Sequence, residues 1–247
     1  MTNTNSPYLK KKILFEGKIE LLTGLRIGGS SSAMSIGGLD NIIIRNPLDN
    51  KPYIPGSSLK GKMRALIELR DGTISYNKGK QIEYGVSDDI KSLPSRLFGF
   101  SSKDKNLPSA IIVRDCNLLS DENMFKNTDV PYAEVKTEVT IDRITSKANP
   151  RTMERVPAGA EFELNMVLNI MSMHTEENEK ELVNAVFDAL QLVQDDYLGG
   201  SGSRGYGQIK FHINNLFEKT NEYYKNSCEK EKEIPPYTLV SIPHTLK

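Results

Sequence analysis

The chain has 247 residues, and its 32 Lys and Arg are balanced by 32 Asp and Glu. That length fits one elaborated domain or two small ones and can bury a core without metal or disulfide support. Only Cys116 and Cys228 occur, far apart and without a CxxC, so neither a zinc site nor a disulfide framework is expected. No apolar run approaches membrane-spanning length, and a soluble cytoplasmic protein without membrane contact is expected. The zero net charge hides an asymmetry. Residues 1–70 hold eleven basic and five acidic side chains, an excess of six positive charges that the remaining chain cancels. A basic N-terminal third on a neutral chain points to one polyanion-facing surface.

In chain order, ILFEGKIELL (13–22) reads as a strand. TGLRIGGSSS follows, a Gly/Ser loop that carries Arg26. MSIGGLDNIIIR then places Asp40 between a Gly pair and an apolar run, and residues 41–45 read as a short buried strand. After the turn chemistry of NPLDNKPYIPG, the stretch SSLKGKMRALIELRDG reads as a helix capped by Ser57 or Ser58 and ended by Asp71-Gly72. Leu59, Met63, Leu66 and Ile67 form its apolar face. Gly61 inside the helix costs about 1 kcal/mol relative to Ala, which suggests close approach to its backbone.

Residues 72–91 are polar and expected as a mobile insertion. LPSRLFGF (93–100) reads as a short helix with a Gly cap, and AIIVRDC (110–116) as a strand. Residues 117–160 are too long for a plain connection and read as an extended hairpin or lobe. Phe162, Leu164, Met166, Leu168 and Ile170 alternate as a strand, and residues 177–197 form an amphipathic helix. YLGGSGSRGYGQIKF is a Gly-rich loop entering a last strand, and the chain beyond residue 218 is a polar Lys/Glu-rich extension. Without insertions the order approximates β-α-β-β-α-β. This is an α+β, ferredoxin-like or RRM-like arrangement that commonly presents its sheet or loops to single-stranded RNA.

Three segments carry binding chemistry. In PGSSLKGKMR, Lys60 and Arg64 share a helix face and Lys62 lies on the neighbouring one. A helix start also offers free N–H groups, which suits phosphate, although a solvated basic face has the same pattern. GGSGSRGYG supplies five glycines in nine residues with Arg204 among them. Such a loop either lets backbone N–H groups approach phosphate or serves as a flexible connector. IDRITSKANPRTMER punctuates a loop with Arg143, Lys147, Arg151 and Arg155 around Ile144 and Met153. Apolar wedges among cations suit bases and phosphates, and an ordinary exposed hairpin reads the same way. His174, His212 and His244 all lie outside the basic third, which disfavours paired-imidazole acid–base chemistry. Asp40 alone is either a turn residue or one ligand of a hydrated Mg²⁺ shared with substrate phosphate.

The co-linear series TGLRIGG, IGGLDN, PYIPGSSLKGKMR, SRLFG, TEVTIDRITSKANPR and DYLGGSGSRGYGQI, from about residue 13 to about 213, resembles one family closely. It is the Csm-type backbone subunit of type III-A CRISPR effector complexes, in the RAMP superfamily. The resemblance implies a modified RRM-like fold with a protruding β-hairpin thumb. Residues 1–217 would form that domain, including an insertion near 72–91 and a thumb lobe near 117–160, with residues 218–247 as an extension. It implies head-to-tail copies along a guide crRNA, partnered by other subunits of the complex, and cleavage of bound target RNA at regular intervals. Asp40 falls on the catalytic position and on a possible divalent-metal site, Mg²⁺ being the expected ion. RNA contacts are implied for Arg26, Ser57, Ser58, Lys60, Lys62, Arg64, Arg143, Arg151, Gly200, Ser201, Gly202, Ser203 and Arg204. Glu134, Glu138 and Asp142 are auxiliary carboxylates or plain hairpin charges. The competing readings are a non-catalytic guide-binding subunit and a guide-processing RAMP endoribonuclease.

Overall fold

The computed structural model describes residues 6–29, 42–78, 82–225 and 232–233. Strand β1 spans Leu9–Leu21, β2 Tyr53–Ile54, and helix α1 Gly56–Asp71. The hairpin of β3 (Ser75–Lys78) and β4 (Ile82–Gly85) leads to α2 (Leu93–Phe98) and a small pair, β5 (Phe100–Ser101) and β6 (Asn106–Leu107). Next come β7 (Ile111–Val113), β8 (Cys116–Asn117), and a long hairpin of β9 (Glu134–Ile141) and β10 (Ala148–Arg155). The chain continues through β11 (Glu161–Met171), α3 (Glu176–Asp195), β12 (Ile209–Thr220), α4 (Asn221–Lys225) and β13 (Lys232–Glu233). None of the described helices is long and apolar enough to cross a membrane.

The main sheet has the order β13-β12-β1-β11-β7, and every neighbouring pair is antiparallel. Its four strands other than β13, with α1 and α3, form β-α-β-β-α-β in the ferredoxin-like order, as the chain-order reading expects. Alternation in β1 and β11 sends Ile13, Phe15, Ile19 and Leu21, and Phe162 through Ile170 at every second residue, into the core. Leu59, Met63 and Ile67 of α1 and Leu182, Val186, Leu190 and Val193 of α3 meet them there. Phe15 and Phe187 add an edge-to-face contact at 5.6 Å. A bulge opposite Glu16 and Gly17 inserts Asn214 into β12. It switches the buried set from Ile209 and Phe211 to Leu216. A Cβ on Gly17 would stand 2.0 Å from the His212 carbonyl oxygen, so the sheet closes here only around glycine.

Helix α1 departs from its expected start. It begins at Gly56 after Pro55 with no side-chain cap, and Ser57 and Ser58 lie within its first turn. The Asp115 carboxylate instead accepts the Gly56 N–H at 2.7 Å, placing a negative charge at the positive end of the dipole. The expected stop holds: Gly72 adopts φ 64° and its N–H bonds the Glu68 and Leu69 carbonyls. Thr175 caps α3, with Glu176, Glu177 and Glu179 in its first turn. The insertion near 72–91 contains the β3–β4 hairpin, anchored where buried Glu68 accepts the Ser87 N–H at 3.0 Å. The first strand begins before the expected residue 13, since Leu9 already pairs with Met171. At the other end β12 runs on past residue 217 to Thr220. Cys116 is buried, and burial pushes its thiol up to about 12, which suits packing and not reactivity.

The core and the hairpin tip should separate in a stability measurement. Phe15→Ala is expected to cost about 3–5 kcal/mol, whereas Ile144→Ala at the exposed tip should stay within about 0.5 kcal/mol. Chemical denaturation of the two variants checks this.

Candidate nucleic-acid interface

Leaving β1, the chain makes a short extended segment that gathers three others. Leu25 bridges Val156, just beyond β10. The Gly29 N–H donates to the Ile42 carbonyl at 3.2 Å, and the Ile44 N–H to the Ile27 carbonyl at 2.9 Å. Buried Glu154 of β10 accepts the Ile43 N–H at 3.1 Å and pairs with Arg45 at 3.4 Å. Arg45 also donates to the Pro131 carbonyl at 2.7 Å. Residues 42–45 are thus held between the 25–29 segment and the base of the long hairpin. They form isolated bridges, not the continuous strand expected, and only Ile43 of the three isoleucines is buried. Asn41, and Asp40 with its catalytic and metal assignments, lie outside the described residues.

The Gly-rich loop closes on the same segment, and its glycines serve packing. The N–H of Gly200 donates to the Arg26 carbonyl at 2.8 Å, and that of Gly207 to the Gly24 carbonyl at 3.0 Å. Arg204 and Gly205 donate within the loop, to Ser201 and Gly202. Those four N–H groups are therefore occupied within the chain. A Cβ on Gly202 would lie 2.0 Å from the Tyr197 ring, and one on Gly207 1.9 Å from the Leu198 carbonyl. Ser201 itself holds φ 62°, in the left-handed region. Lys62 sits 3.7 Å from the centre of the Tyr197 ring and pairs with Asp196 at 2.6 Å. Arg26, Lys62 and the loop with Gly200, Ser201, Gly202, Ser203 and Arg204 are thereby brought together.

The long hairpin joins this cluster through Glu138. Its carboxylate accepts from Tyr206 at 2.9 Å and pairs with Arg204 at 3.0 Å, while Lys136 and Arg155 lie over the Tyr206 ring. Tyr206 is buried, and burial together with the Glu138 bond raises its phenol. Between hairpin and loop runs an open groove of about 580 Å³ lined by Lys136, Ile141, Arg143 and Arg204. Arg143 and Arg151 are exposed, with Arg151 directly across from Glu138. The three hairpin carboxylates singled out in the sequence, Glu134, Glu138 and Asp142, all have structural tasks. Glu134 pairs with Arg155 at 2.6 Å, Glu138 clamps the loop, and Asp142 accepts the Ile144 and Thr145 N–H groups of the turn, which lowers its carboxyl.

The cations of α1 divide. Leu59 and Met63 are fully buried as the periodicity predicts, and Ser57 is exposed. Arg64 is engaged by Glu68 at 2.8 Å and by the Gly99 carbonyl at 3.0 Å. Lys60 bonds the Ser109 hydroxyl at 2.8 Å. Burial lowers its ammonium below the ordinary 10.5, and the Arg64 charge adds to the effect. Gly61 has open space where a Cβ would point, so nothing among the described residues explains it. The sequence reading missed Tyr197, Tyr206 and Asp115. An aromatic embedded in GSRGYG was the available signal for Tyr206. Asp115 acts across 59 residues, and no local pattern announces it.

A ferredoxin-like core with a projecting hairpin and a basic cluster at its base defines an RRM-like protein built to meet a polyanion. The RAMP superfamily model matches residues 18–210. The chain is similar to the CRISPR system Cms endoribonuclease Csm3 of Methanocaldococcus jannaschii, 44% identical over 229 residues that cover 91% of this chain and 88% of that protein. It is also 44% identical over 204 residues to the namesake from Streptococcus thermophilus, covering 81% and 87%. Among solved structures, a Csm3–Csm4 subcomplex of the type III-A CRISPR-Cas interference complex aligns with a TM-score of 0.57 at 32% identity. That alignment covers 92% of this chain and 91% of the other. The Methanopyrus kandleri Csm3 structure, at 23% identity, shares the fold with a TM-score of 0.59, covering 89% and 80%. The chain belongs to the RAMP superfamily and, within it, to the Csm3 family of type III-A CRISPR complexes.

The division of cations on α1 is open to two tests. Lys60→Ala should weaken binding of an RNA oligonucleotide and reduce the slope of log Kd against log salt by about 1. Arg64→Ala should leave that slope nearly unchanged and cost about 3–5 kcal/mol in denaturation, because it strands buried Glu68. The second test is pH. Phosphate holds the charged ammonium, so RNA affinity should fall as pH rises through the lowered Lys60 value, below 10.5, and Lys60→Arg should remove the Lys60 contribution to that dependence. Binding isotherms from neutral to alkaline pH measure it.

Proposed function

We propose that this protein is a backbone subunit of a type III-A CRISPR ribonucleoprotein in the cytoplasm, binding guide crRNA and cutting complementary target RNA in antiviral defence. Copies of the chain stack along the guide beside the other subunits, a heterologous arrangement that does not close on itself. The observation that carries this reading is the convergence at one place of Arg26, Lys62, the Gly-rich loop, the thumb base and residues 42–45. Two residues before Ile42 stands Asp40, which we assign as the catalytic residue.

The chain's own contribution is placement. Arg26, Lys60, Lys62 and Arg204 hold the RNA backbone, with Ser57, Ser58, Ser201 and Ser203 as hydroxyl partners. The thumb, with Arg143 beside exposed Ile144 at its tip and Arg151 further down the hairpin, displaces a base step and turns the adjoining ribose toward in-line attack by its 2′-OH on the neighbouring phosphate. Asp40 accepts the 2′-OH proton or ligates a divalent ion, and the products carry a cyclic phosphate and a free 5′-OH. DNA lacks that nucleophile. Among the described residues no group of three or more His, Cys, Asp or Glu side chains is arranged to hold a metal. At Asp40 a divalent ion would be held in the way that suits Mg²⁺, by the carboxylate together with waters and RNA phosphate oxygens. When bound it would neutralise charge on the scissile phosphate. The guide-processing alternative is disfavoured by where the histidines stand. His174 accepts the Met171 N–H at the β11–α3 turn, and His212 pairs with Glu20 on the sheet.

In the assembled complex Asp40→Ala should leave target-RNA affinity unchanged and abolish cutting, and a target with a single 2′-deoxyribose at the cleavage position should bind and survive. Full-rate cutting by Asp40→Ala would remove Asp40 from the chemistry. Persistence of cutting in EDTA would remove the metal.

A further inference from the structure

Charges alternate through the middle of the helix-free face of the main sheet. Lys18 stands between Glu163 and His212, and Glu20 between Glu161 and Lys210. Two diagonal pairs close, Lys18 with Glu161 at 2.6 Å and His212 with Glu20 at 2.7 Å. The row of Lys12 breaks the pattern. Lys12 lies between Asn169 of β11 and Lys219 of β12, so two cations stand directly opposite each other. Like charges in that position destabilise a strand pair. Glu179 and Glu218 are taken by Lys10 and Lys11, and among the described residues no carboxylate pairs with Lys12.

Helix α4 closes this end of the sheet. Its Asn221 side chain donates to the Leu9 carbonyl at 2.6 Å. Its Tyr223 ring lies 5.2 Å from the Lys219 ammonium and meets Tyr224 edge to face at 5.3 Å. Asn221, Glu222 and Lys225 also line an open groove of about 330 Å³ with Tyr8, Lys10 and Thr220. Glu222 is the one carboxylate in that lining, against two lysines. Tyr8 and Tyr224 are 60% and 51% exposed. Exposed rings thus stand among cations, of which Lys12 and Lys225 have no carboxylate partner among the described residues.

We propose that this end of the sheet, with Tyr8, Lys12, Lys219, Tyr224 and Lys225, is a second contact for single-stranded RNA. The lysines hold phosphates and the tyrosines stack bases. An acidic protein segment would use the cations alone, and it is the rings beside them that select RNA. A bound phosphate also supplies the negative charge that the Lys12–Lys219 row lacks. From Lys12 to Leu21, where β1 leaves for the thumb cluster, the strand runs roughly 30 Å. The nucleotides seated in that cluster therefore do not cover this patch. The inference goes beyond the function proposed above and does not depend on the role of Asp40 or of the α1 cations.

The test irradiates the full chain with a single-stranded RNA carrying 4-thiouridine and maps the adducts by peptide mass spectrometry. Adducts are expected on the peptides of Tyr8 and Tyr224, and they should persist in Lys60→Ala. The Lys12→Gln, Lys225→Gln double variant should lose them and lower the slope of log Kd against log salt by about 1.4. Its denaturation midpoint should not fall, because the change relieves a like-charge pair, so a loss of binding cannot be laid to misfolding. Adducts confined to the thumb and loop cluster would overturn the proposal, as would their disappearance in Lys60→Ala or an unchanged salt slope in the double variant. In the assembled complex, p-benzoylphenylalanine at Tyr8 should capture RNA, and capture of a protein subunit alone would give the surface to that subunit and overturn the proposal.

Discussion

The main chain of residues 23–29 is the constraint on which the site depends. Strand β1 is hydrogen-bonded on both sides along most of its length, so its exit direction at Leu21 is fixed by the core. The next residues use backbone groups to hold everything else. Thr23 and Gly24 take β12 and the Gly-rich loop through Gln208 and Gly207, and Arg26 takes Gly200. Leu25 takes the thumb base through Val156, while Ile27 and Gly29 take the stretch after Asp40 through Ile44 and Ile42. Main-chain bonds do not depend on side-chain identity. The sequence here is accordingly free to carry a long charged side chain, Arg26, and small residues where loops approach closely.

Electrostatics at the cluster follow a second rule. Lys62, Arg64, Arg155 and Arg204 each face a carboxylate, in Asp196, Glu68, Glu134 and Glu138. Exposed pairs of this kind contribute little to folding, typically below about 1 kcal/mol. Their value lies in orientation. Arg204 is held toward the thumb while remaining largely open to solvent, so a phosphate can approach it without first ordering it. Arg64 differs because its partner Glu68 is buried and also accepts from Ser87. That pair ties α1 to the insertion and is part of the fold more than of the binding surface. The neutral net charge of the chain is a sum over all its residues, which is why the basic third was visible only when the sequence was divided.

Periodicity made the core legible. Alternation over residues 162–170 and the 3.6-residue spacing in α1 and α3 report burial directly, and Gly72 marks a helix end by its own chemistry. The topology was legible because each insertion sits between elements without altering their order. Other features were hidden for a physical reason: they depend on partners distant in sequence. Asp115 replaces the expected serine cap, and Tyr197 turns Gly202 from a flexible hinge into a packing contact. The run after Asp40 looked like a strand from its isoleucines. What holds it is a buried carboxylate more than a hundred residues away, and an apolar pattern cannot encode that partner.

The same geometry bears on how a protein with so few histidines could cut RNA. In the proposed reaction the nucleophile and the leaving oxygen both belong to the substrate, so the demand on the protein is alignment more than proton shuttling. Alignment requires that the group holding the backbone, the group bending it and the carboxylate share one rigid frame. The bonds of residues 23–29 provide that frame for the loop and the thumb base, and they reach to Ile42. A thumb tip that is apolar and exposed, on a base that is clamped, can displace a base step without transmitting the strain to the core. Under this arrangement, substitutions at the Arg26–Gly200 or Leu25–Val156 junctions would alter where cutting occurs along the target before they altered whether the chain folds.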